Sequence, residues 1–164
     1  MERMRRGAWM LVLIVDLGFI AWGAMAAAWP ERLLGPGGTP ILTAGYEGFS
    51  KESWSTLTST APHAAQYINV LFRMYGMFNA VFGLVASAIA LTAFRRRERW
   101  AWWTLLAGNI VALVSAMTYD WTVNAIGPFE VSEYIGLAMI LGALAITAPV
   151  CRRGGLSHLM AARS

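Results

Sequence analysis

The stretch LVLIVDLGFIAWG, residues 11–23, is apolar throughout except at Asp16. It lies within a longer apolar run, about residues 8–29. At a rise of 1.5 Å per helical residue, such a run crosses roughly 30 Å of hydrocarbon. A carboxylate inside that span is costly against lipid, so the face carrying Asp16 must turn toward other protein. The first span therefore predicts partner helices.

Three further segments have the required length and apolarity, about 67–94, 100–119 and 131–150. The composition agrees: 57% of the 164 residues are hydrophobic and 13% are charged, against about 25% charged in a soluble domain. Each segment is too long for a buried strand. The expected fold is all-α, an integral membrane four-helix bundle. Residues 1–164 form a single four-span transmembrane domain, with an extended external loop, 30–66, between helices 1 and 2.

Local signals mark the ends. Pro30 stops the first helix. Thr60 is placed to cap the second, with Pro62 in its first turn. Pro128 fits a first helical position, with Glu130 and Glu133 favouring that helix N-terminus. Pro149 closes the fourth span. In the external loop, GPGGTP reads as turns and FSKESWSTL as one short amphipathic helix, a lid or docking element if not a plain connector.

Orientation follows from the basic residues. MERMRR, FRRRERW and CRRGGLSHLMAARS hold ten of the thirteen Lys and Arg. Short positive segments stay in the cytoplasm. Four spans put all three on one side, so both termini are expected to be cytoplasmic in a bacterial-type inner (cell) membrane. The pI near 9.7 then reflects topology and contact with anionic lipid, and no nucleic-acid partner is expected. A cleaved signal peptide would use the A-x-A sites of AMAAAW. The apolar run is long for that, and cleavage would break the charge rule. Trp9, Trp100, Trp102 and Trp103 are expected at the inner interface. Trp22, Trp29 and Trp121 are expected toward the outer one.

Counting depth from the inner ends places Asp16, Asn79 and Asn109 roughly 12–20 Å deep. They form an expected intramembrane polar layer in which Asp16 meets one or both amides. Gly23 and Ala27 share the face of Asp16, and Gly83 that of Asn79. Gly108 with Ala112, and Ala138 with Gly142, are candidate close-approach pairs. A second polar group lies toward the outer face: Arg73, Tyr75, Asp120, Glu133 and Tyr134 are the ligand-binding candidates, with Arg73 expected beside Asp120 or Glu133.

No Walker loop, GxGxxG, HExxH, CxxC or GxSxG motif occurs. The lone Cys151 excludes an internal disulfide. His63 and His158 belong to no metal-spaced cluster, so neither metal nor cofactor is expected. In size and layout the chain resembles four- and five-span families acting on lipophilic molecules, such as sterol isomerase-like proteins, without a residue-by-residue motif match. The expected function is a non-catalytic accessory subunit or a lipophilic-ligand-binding module. Its alternatives are a membrane enzyme acting on a lipid, isoprenoid, quinone or sterol, or a small proton-coupled transporter using Asp16. Expected partners are membrane lipids and a larger membrane complex or a second copy.

Overall fold

The computed structural model describes the backbone of residues 2–35, 38–123 and 128–161, and the side chains of all these except 2–6, 128–130, 132 and 149–161. Among them the chain is helical, without a strand. In order come α1 (Glu2–Ala28), a 3-10 turn (Pro30–Arg32), α2 (Ile41–Ser50), α3 (Trp54–Thr60), α4 (Pro62–Ile89), α5 (Arg99–Val123) and α6 (Pro128–Ala161). A π-helical turn, Ala90–Phe94, extends α4.

Three helices are long and apolar enough to cross a membrane: Gly7–Ala28, Pro62–Phe94 and Arg99–Val123. The fourth apolar helix, Glu133–Ala148, is shorter. Pro149 does not close it, because helical backbone continues to Ala161. A proline lacks one N–H donor, and here that loss does not end the helix. The side chains of Pro128, Glu130 and Cys151, of MERMRR and of the basic tail lie outside the described residues.

Glycines set the tightest contact. A Cβ on Gly23 would lie 2.5 Å from the Ala80 nitrogen and from the Gly76 oxygen. One on Gly76 would lie 2.7 Å from the Ala26 Cβ, and one on Gly83 2.7 Å from the Asp16 oxygen. No side chain fits at these three positions, so α1 and α4 pack backbone against backbone, antiparallel. The close approach is thus at Gly23, Gly76 and Gly83. Gly142 has nothing within 4 Å of its Cβ position, and Gly108 meets only the Phe82 ring.

This register corrects the depth estimate for Asn79. Gly23 lies against Ala80, and Asp16 and Ile20 lie against Gly83. Asn79 is therefore near the level of Gly23, about two turns outward of Asp16. Helix α6 packs on the other side of α1, with Gly136 opposite Val15. It also packs on α5, whereas α4 and α5 barely touch.

The bundle is dense at one end and hollow at the other. Val12, Ala90, Phe94, Leu105, Ile140 and Leu144 belong to one buried cluster beside the arginine-rich turn. There the Trp102 indole donates to the Leu144 oxygen at 2.8 Å, and the Arg95 guanidinium lies 5.1 Å from the Trp9 ring centre. At the opposite end the helices separate around cavities.

The segment between α1 and α4 is more ordered than a plain loop, and it departs from the single helix expected over FSKESWSTL. Lys51 takes a left-handed conformation (φ 62°) that ends α2. Ser53 then caps α3, its hydroxyl accepting from the Thr56 N–H at 3.1 Å. Glu47 ties the two helices by accepting from the Trp54 N–H at 2.9 Å. Thr60 is the last residue of α3, and Ala61 occupies the N-cap position of α4 without a side-chain bond.

These contacts separate two kinds of glycine. Gly76→Val should lower stability by about 1–3 kcal/mol or more, as overpacking does. Gly142→Ala should stay within about 0.5 kcal/mol of the parent. Reversible unfolding in mixed detergent micelles reads both values.

Candidate functional site

At the hollow end, α4 presents Phe72 and Tyr75, three residues apart and so on one face. Trp22 of α1 packs edge-on against both, with ring centres 6.3 Å from Phe72 and 5.6 Å from Tyr75. These aromatic side chains form one wall of a cavity of about 330 Å³. Its other wall comes from α5, through Ala116, Tyr119 and Asp120, and Glu133 of α6 completes it. Ile41 and Leu42 of α2 close over the outer side. At Gly45 a Cβ would lie 3.0 Å from the Tyr119 hydroxyl, so α2 rests directly on that residue. A second cavity, about 240 Å³, shares Trp22 and Glu133 with the first and reaches Asn79 and Val15. Both spaces are lined mainly by apolar groups, with few polar ones.

Of the five candidates in the outer group, Tyr75, Asp120 and Glu133 line the larger cavity. Tyr134 donates its hydroxyl to an Asp120 carboxylate oxygen, which joins α6 to α5. Asp120 is 4% exposed, so that bond answers part of the cost of burying its polar group.

Arg73 departs from the expected arrangement. Its Nη1 donates to the Ala27 and Ala28 oxygens at 2.7 and 3.1 Å. Its Nε donates to the Asn69 amide oxygen at 3.0 Å, and Glu31 lies at 4.0 Å. The last carbonyls of α1 lack helical partners and carry the negative end of the helix dipole. They capture the guanidinium, and no bond joins it to Asp120 or Glu133. The exposed, loose contact with Glu31 adds little.

The expected middle layer is also rearranged. Asp16 and Asn109 are both fully buried. Each amide donates within its own helix: Asn109 to the Leu105 oxygen at 2.8 Å, and Asn79 to the Tyr75 oxygen at 3.1 Å. Neither bonds Asp16. Both Asp16 carboxylate oxygens, the Ser87 hydroxyl and the Asn109 amide oxygen are buried without a hydrogen-bond partner. Among the described residues, no group of three or more His, Cys, Asp or Glu could hold a metal.

Trp22 and Phe72 were not among the expected ligand contacts. Tryptophans at span ends fit a headgroup belt, and Trp103 and Trp121 do lie exposed. The available signal was the 72/75 aromatic pair on α4 opposite Trp22. No family model, curated protein or solved structure matches this chain.

Two substitutions test this geometry. Arg73→Leu should cost about 1 kcal/mol or more by leaving the α1 carbonyls uncapped, and adding Asp120→Asn should recover none of it. Asp16→Val removes an unsatisfied buried group and should raise stability by about 1–3 kcal/mol. The same unfolding assay decides both. A loss in Asp16→Val would show that the carboxyl has a partner.

Proposed function

We propose that this is a four-span membrane protein with cytoplasmic termini that binds a lipophilic molecule in the cavity between α1, α4 and α5. One observation carries the reading. A mainly apolar space of about 330 Å³ reaches Tyr75, Asp120 and Glu133 at the hollow end of the bundle. A largely apolar pocket with a few convergent polar groups is the usual form of a small-molecule site.

The neighbouring packing supports an entry path from the bilayer. Because α4 and α5 barely touch, an apolar molecule can enter sideways between them without crossing water. The lid residues Ile41 and Leu42 cover the cavity from the external side. Orientation with the arginine-rich turn inside places the cavity in the outer leaflet. A ligand held there by a buried acid and adjacent tyrosines is also placed for proton transfer. That is how an enzyme acting on an isoprenoid, quinone or sterol would use the same site.

Ala116 is a buried small residue on the cavity wall. Gentle purification followed by native mass spectrometry should show a lipophilic molecule bound to the parent chain. Ala116→Phe should lose it while the melting temperature stays close to the parent value. Equal retention by both chains would overturn the proposed location.

A further inference from the structure

We propose that the two cavities form one elongated site, and that its ligand is a flexible chain whose tail runs from the larger cavity into the second. This inference rests on the binding reading above and specifies the shape of the ligand.

Three helices order the cavities in the same way. On α4, Ile68, Phe72 and Tyr75 line the larger cavity, and Asn79, one turn further on, lines the second. On α1, Trp22 lines both, whereas Phe19 and Val15 line only the second. On α6, Glu133 lines both and Gly136 only the second. Each of these steps runs toward the dense end of the bundle, where Val12, Ala90 and Ile140 are buried together. The second cavity therefore continues the larger one along the bundle axis, and the two meet at Trp22 and Glu133. Ile68 to Tyr75 and Trp22 to Val15 each cover about 10 Å at the helical rise, so the joined path is about 20 Å long.

This shape selects among lipophilic molecules. A rigid fused-ring molecule needs one undivided space. A flexible chain bends past the Trp22 indole, which packs edge-on against Phe72 and Tyr75. Apart from Asn79 and Glu133 the second cavity is lined by apolar residues, which suits a tail better than a head. Room for the tail comes from Gly18, where a Cβ would meet nothing within 4 Å. The polar head stays in the larger cavity with Tyr75 and Asp120. An isoprenoid or acyl chain meets these requirements, and a sterol does not.

The test uses the full-length protein in amphipol and equilibrium dialysis against straight-chain alcohols from hexanol to hexadecanol. The parent is compared with Gly18→Phe, in which a ring occupies the second cavity. The ratio of parent to variant affinity is read at each chain length, so partition into the amphipol cancels. It should stay near one for hexanol and reach at least about tenfold for hexadecanol, because several methylenes lose their burial. A ratio of one at every length would overturn the extension while leaving the larger cavity as a binding site. Equal loss of hexanol and hexadecanol would also overturn it, since Gly18 does not line the larger cavity. No saturable binding of any alcohol to the parent would remove the cavity reading itself. The parent alone supplies a second measurement: hexadecanol should bind more tightly than cholesterol. Cholesterol binding as tightly would overturn the chain-shaped ligand whether or not the variant folds.

Discussion

Backbone contact between α1 and α4 constrains every other part of this bundle. Where Gly23, Gly76 and Gly83 remove the side chains, the two helices approach as closely as their main chains allow. In a membrane no hydrophobic force drives helices together, so association depends on such close packing. Drawing α4 tightly onto one side of α1 leaves α6 the other side. Helix α5 then packs mainly on α6 and stands away from α4. The gap between α4 and α5 is therefore a consequence of the glycine seam, and the larger cavity occupies it.

The polar groups follow a related logic of competition. A guanidinium near a helix end takes the strongest acceptors within reach. For Arg73 those are the unpaired carbonyls at the end of α1, 46 and 45 positions earlier in sequence for Ala27 and Ala28. The capture anchors the 3-10 turn beyond α1. Asp120 finds a tyrosine hydroxyl instead. One arginine thus closes a helix end.

Much of the fold was legible in the sequence because membrane helices declare themselves by length and composition. Helices α1, α4 and α5 begin and end within a few residues of the expected spans, apart from the extensions of α1 back to Glu2 and of α4 back to Pro62. Burial of Asp16 and Asn109 followed from the cost of exposing them to lipid. What could not be read was the relative height of neighbouring helices. Periodicity gives the face of Asn79, but its level depends on where α4 meets α1. Counting from a span end fails when the helix protrudes by an unknown number of turns. Arg73 illustrates the same gap: its partners lie on backbone, which carries no side-chain signature in a sequence. Trp22 was obscured for another reason, since belt tryptophans and pocket tryptophans occupy the same depth.

The π-helical turn at Ala90–Phe94 has a genetic consequence. A wide turn of this kind accommodates one residue more than an α-turn would. An in-frame loss of a single codon there converts it to an ordinary last turn and leaves the whole of α4 before it in phase. The same deletion between Gly76 and Gly83 would rotate one glycine about 100° away from the other, bringing a side chain into the seam. Tolerance of length change along this helix is therefore concentrated in five residues next to the arginine-rich turn. The long stretch that holds α1 is closed to such change, so the glycine spacing and the cavity beside it must vary by substitution alone.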